Sequence, residues 1–86
     1  MTWSYTRNGL YIEHQLRATA GGSVELLTVD FDGYAKVEPV RDEYAGIARQ
    51  IELERALLRR GWALEEFAFG RTTPMPSAGD SSASAA

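Results

Sequence analysis

Apolar and polar residues alternate with period two along the first forty positions, and the pattern then changes to a period near 3.6. Three turn signals cut the first stretch. Asn8-Gly9 is the strongest, because a type I′ turn needs positive φ at both central residues. Gly21-Gly22 and Asp32-Gly33 carry similar turn chemistry. The runs between them are Thr2–Arg7, Leu10–Thr19, Ser23–Phe31 and Tyr34–Val40. Short loops join antiparallel neighbours, so the pattern predicts a four-stranded meander.

In the second run Leu10, Ile12, Leu16 and Ala18 point one way, and Tyr11, Glu13, Gln15 and Arg17 the other. The third run is apolar on both faces. Leu27, Val29 and Phe31 line one; Val24, Leu26 and Thr28 line the other. One helix covers one face of a sheet, so the face of Val24 and Leu26 is expected to need a partner. Pro39 has no amide donor, which places the fourth run at a sheet edge.

The helical period begins after Asp42, a good N-cap. It ends before Gly61, which suits the left-handed position beyond a helix. Arg59 and Arg60 complement the dipole at that end. The expected helix runs from Glu43 to Arg60. Its main apolar stripe, Tyr44, Ile47, Ala48, Ile51 and Leu58, is expected to pack on the sheet. Leu53 and Leu57 then form a ridge on the outer face. Beyond it, Trp62 to Phe69 resembles a fifth strand, and a bulge at Glu65-Glu66 would bring Trp62, Leu64, Phe67 and Phe69 to one side. A short helical extension is the competing reading.

The fold class expected is α+β: an antiparallel four- to five-stranded meander sheet packed on one long amphipathic helix, in the order β-β-β-β-α-β, over residues 1–71. From Thr72 the chain is Pro-, Gly- and Ser-rich without periodicity, and residues 72–86 are expected to be a disordered tail.

Composition narrows this picture. Eighty-six residues make one domain. The absence of cysteine removes disulfides, thiolate zinc sites and cysteine nucleophiles. No apolar stretch reaches signal-peptide or membrane-span length, so a cytoplasmic location is expected. The net charge of −3 is not that of a general nucleic-acid binder. Residues 41–60 are the exception. Their five arginines outnumber four acids, net +1.

Candidate chemistry is sparse. His14 can serve as a general base only with a hydrogen-bonding partner, and the plainer reading is a partly buried histidine with one hydrogen bond. Asp30-Phe31-Asp32-Gly33 resembles part of a calcium loop. However, Thr28 and Pro39 fall where its first and last ligands belong, so turn chemistry explains it better. Glu65 and Glu66 are adjacent on a strand and point apart. No serine stands in a nucleophile motif, and no glycine pair precedes a phosphate-binding lysine. No catalytic residue, cofactor or metal is expected.

Two functional readings follow. The first is a small, non-catalytic protein-interaction module that self-associates as a homodimer. It would act as an adaptor or inhibitor of a larger complex, such as the nucleic-acid-processing machinery that phage and mobile-element proteins inhibit. Its interface would use Leu53, Leu57, Val24, Leu26, Arg49 and Arg60, and Leu53→Glu with Leu57→Glu would split the dimer without unfolding it. The second is a nucleic-acid binder using Arg49, Arg55, Arg59 and Arg60 with Tyr11 and the other strand aromatics Trp3, Tyr5 and Tyr34. The acidic residues of the sheet segment oppose it. No membrane partner is expected.

Overall fold

The structure, a computed structural model, describes residues 1–69. The tail expected over residues 72–86 lies outside the described residues. The elements are β1 (Thr2–Arg7), β2 (Leu10–Ala18), β3 (Val24–Val29), β4 (Ala35–Val40), α1 (Glu43–Arg59) and β5 (Ala63–Ala68). They form one antiparallel five-stranded sheet, in the order β4-β3-β2-β1-β5, with α1 across one face. The expected α+β meander is what the chain forms.

Local chemistry sets these boundaries. Asn8 and Gly9 both take positive φ, 53° and 80°, as a type I′ turn requires. The other two hairpins are wider. Gly22 and Gly33, at φ 88° and 85°, close turns in which Gly22 N–H donates to Thr19 O and Gly33 N–H to Asp30 O. Asp32 accepts the Tyr34 amide at 3.0 Å, so the Asp-Gly pair serves the turn. Asp42 caps α1 by accepting the Ala45 amide at 2.8 Å, and this bond draws its carboxyl below the usual range. At the other end Trp62 N–H reaches Leu57 O and Gly61 N–H reaches Leu58 O. With Gly61 at φ 90°, this is a Schellman cap. Leu57 and Trp62, the two residues that the motif brings together, are both buried.

Residues 63–68 are a strand, not a helical extension. β5 pairs with β1, and its register slips where Ser4 faces Glu66 and Tyr5 faces Leu64. Glu65 is the extra residue of a bulge. It brings Leu64 and Phe67 onto the same face, opposite Tyr5 and Trp3. β4 is the other sheet edge, as Pro39 suggested.

The core consists of Trp3 and Tyr5 from β1, Ile12 and Leu16 from β2, Leu26 from β3, and Leu57 and Trp62 from the end of α1. This corrects two expectations. Leu26 and Val24 lie beneath α1, Leu26 fully buried and Val24 packed against the core; Leu27 and Val29 occupy the uncovered face. The helix is also turned relative to its strongest apolar stripe. Gly46, Gln50 and Leu57 are its buried residues, and Leu53 packs against the core beside them. Tyr44 is 86 % exposed, with Ile51 and Leu58 exposed by more than 40 %.

Two residues explain the rotation. At Gly46 the helix passes so near β2 that a Cβ would overlap Leu16 Cδ1 and lie 3.2 Å from Val40 Cγ2. Gln50 faces inward because polar groups of the sheet need it. Leu53 and Leu57 are therefore no outer ridge, and a glutamate at Leu57 would put a charge in the core.

Candidate functional site: the two flanks of the helix

Gln50 sits at the centre of a buried polar relay. Tyr5 Oη donates to Glu54 Oε1 at 2.6 Å. Gln50 Nε2 donates to Tyr5 Oη at 2.5 Å and lies 3.3 Å from His14 Nδ1. The Tyr5 proton is committed to Glu54, so the Gln50 amide supplies the hydrogens for both of its own bonds. His14 Nδ1 then accepts, and the neutral ring carries its proton on Nε2. Tyr5, His14 and Gln50 are each at most 2 % exposed. Burial pushes the Tyr5 pKa up, and the adjacent Glu54 carboxylate adds to this. Burial pulls the His14 pKa down, against the opposing pull of Glu54. His14 is thus a core histidine with its Nδ1 lone pair engaged, close to the plainer expectation. The relay ties α1 to β1 and β2.

The two flanks of α1 differ in chemistry. Towards β3 and β4 lies a polar cleft of about 350 Å³. Its walls include Thr28, Asp30, Lys36, Glu38, Arg49 and Arg60, above Ile12, His14, Leu53 and Leu57. Arg49 is committed there, to Glu38 at 2.8 Å and Glu52 at 3.0 Å. Those carboxylates raise its pKa further.

Towards β1 and β5 lies an open apolar groove of about 450 Å³. Met1, Trp3, Ile47, Ile51, Leu64 and Phe67 line it, with Gln50 and Glu54 as its polar members. The Trp3 and Phe67 rings meet at a centroid distance of 5.4 Å, and Phe69 continues the aromatic row 6.1 Å from Phe67. Ile51, Leu64, Phe67 and Phe69 are all exposed, Phe69 by 77 %.

The residues predicted for a protein interface are thus dispersed. Leu26 and Leu57 are buried, Val24 and Leu53 pack against the core, and Arg49 and Arg60 line the polar cleft. The nucleic-acid set does not assemble either. Trp3 and Tyr5 are buried. Tyr11 is exposed, but it alternates with buried Ile12 and so points to the face away from α1. Arg55 and Arg59 are exposed on the helix, on the opposite side of the sheet from Tyr11. The groove residues Ile51, Leu64 and Phe67 were missed as a site. Their signals were present: a glycine interrupting the helix period at Gly46, and the bulge that brings Leu64 and Phe67 into phase.

Among the described residues no group of three or more histidine or acidic side chains is placed to hold a metal ion. No described helix is long and apolar enough to cross a membrane. In comparisons with protein-family models, curated proteins and solved structures, nothing matches this chain.

Proposed function

We propose that this protein is a non-catalytic, self-associating adaptor or inhibitor module that captures an apolar segment of a larger protein complex. The groove between α1 and the β1–β5 edge carries this reading. A domain of this size has few apolar side chains to spare, and small proteins rarely leave large apolar patches open without a use. Of the helix's most apolar stripe, Tyr44, Ile51 and Leu58 are exposed, and Ile51 lines the groove beside Ile47, which also packs against the core. β5 adds Leu64, Phe67 and Phe69, and it is an edge strand. An extended segment laid along β5 would place alternate side chains in the groove. Glu54 lies in the groove and Glu65 and Glu66 on its outer strand. The fitting segment is therefore apolar and flanked by basic residues.

The test is capture from the native host, with partners identified by mass spectrometry, using the parent protein and Ile51→Glu as parallel baits. A basic-flanked partner should be retained by the parent and lost with the variant. An identical set of proteins on both baits would contradict the groove as the binding surface. Nucleic-acid binding through Arg55, Arg59 and Arg60 is the rival reading. It requires retardation of single- or double-stranded DNA or RNA at low salt, weakening steeply as salt rises.

A further inference from the structure

We propose that the chain pairs with a second copy of itself edge to edge along β4, about a twofold axis at Val37. The inference rests on the self-association reading above and specifies its edge and register.

Asp30 N–H donates to Tyr34 O at 2.9 Å. Antiparallel ladders alternate bonded and non-bonded pairs. Thr28–Lys36, Leu26–Glu38 and Val24–Val40 are therefore bonded pairs, and Ala35, Val37 and Pro39 direct their backbone groups outward. Pro39 thus costs the β3–β4 ladder nothing, and the outward edge keeps the amides of Ala35 and Val37.

Charge then selects the register. With the axis at Val37, Val37 faces Val37 of the second copy, and each gives and accepts one bond. Ala35 donates to Pro39 of the second copy, whose carbonyl remains available. Lys36 falls opposite Glu38 of the second copy on the helix side of the sheet. Lys36 has no ion-pair partner among the described residues, whereas Arg49 already holds Glu38 in place. Moving the axis by one residue sets Lys36 against itself or Glu38 against itself, and like charges directly opposed are unfavourable. On the uncovered face the apolar strip of Leu27, Val29, Val37 and Pro39 meets its copy across the same axis.

The other edge is unsuited to self-pairing. β5 carries the Glu65 bulge and a second acid, Glu66, beside it, and a bulged, acidic strand resists a symmetric mate. Pairing at β4 leaves both β5 grooves at the far ends of a continuous sheet. Nine strand spacings separate them, roughly 40 Å. The dimer would be a bivalent clamp.

The test uses the fact that the chain has no cysteine. Val37→Cys gives a single thiol whose copies would stand about 5.5 Å apart between Cα atoms, within disulfide range. Mild oxidation should convert it to a covalent dimer, whereas Tyr11→Cys, exposed on another strand, should stay monomeric on the same time scale. Light scattering should find a dimer that Lys36→Glu weakens by about tenfold or more. A dimer in which Val37→Cys links no faster than Tyr11→Cys would overturn the β4 register and leave self-association standing. A monomer at all concentrations would overturn both. Far-UV circular dichroism confirms that each variant is folded before either reading is taken.

Discussion

The two flanks of α1 are built from the same helix and the same sheet face, yet one has charged walls with Arg49 and Glu38 paired across it while the other is apolar and open. In the cleft flank Arg49 bridges to Glu38 and Glu52, and the helix residues nearest the sheet, Leu53 and Leu57, are covered. In the groove flank Ile51 and Phe67 stand exposed although they line a single depression. The difference comes from where the helix is pinned. Gly46 allows close approach over Leu16, and Gln50 joins the Tyr5–His14–Glu54 relay. Together these set the helix rotation, and Ile47 and Ile51 of the most apolar stripe are left facing the groove. Pinning a helix by a glycine and a glutamine frees its leucine–isoleucine surface for another use.

The largest effects are expected where the helix is covered. Leu57→Ala should destabilise the domain by about 3 kcal/mol in urea unfolding, because the residue is buried at the helix cap against Trp62. Tyr5→Phe should cost about 2 kcal/mol, since it leaves Gln50 and Glu54 without the hydroxyl that joins them. Gly46→Ala tests the pinning directly. In an ordinary helix interior this change stabilises by about 1 kcal/mol. Here the added methyl overlaps Leu16, so a lower melting temperature is expected, and a higher one would show that the helix stands further from the sheet.

pH sharpens the same side. The His14 pKa is lowered in the folded state from its ordinary 6.5. The unfolded chain therefore takes up the proton first as pH falls. The folded state has its full advantage above 6.5 and loses it progressively below, down to the lowered value. Stability should decline as pH falls below about 6.5, and the slope should flatten in His14→Gln. The smallest effect belongs to the open flank. Phe67→Ala removes one aromatic neighbour of Trp3 and should cost about 1 kcal/mol in the same unfolding experiment.

Much of this was legible in the sequence, and the part that was not has a definite cause. Asn8-Gly9, the Asp42 cap, Gly61, Pro39 and the Glu65 bulge are local instructions, so each could be read without knowing its surroundings. Helix rotation is not local. Periodicity scores Gly46 as a gap and Gln50 as polar, so both counted against the face that in fact packs on the sheet. Only the positions of Leu16, Tyr5 and His14 on neighbouring strands give them a reason to be inside. That single error moved Leu53 and Leu57 to the surface and hid Ile51, whereas the exchange of covered and uncovered faces on β3 has its own cause, a register that sets Leu26 opposite Leu16. The arginines were read one by one, without the acids that bind them: Glu38, eleven residues from Arg49, is brought close by the sheet.

The helix rotation is decided by two glutamates, Ile51→Glu and Leu57→Glu, compared by urea unfolding of the otherwise unchanged protein. Ile51→Glu should stay within about 0.5 kcal/mol of the parent, while Leu57→Glu should unfold the domain or lose about 3 kcal/mol or more. A stable Leu57→Glu beside a collapsed Ile51→Glu would restore the helix to its apolar stripe and remove the groove.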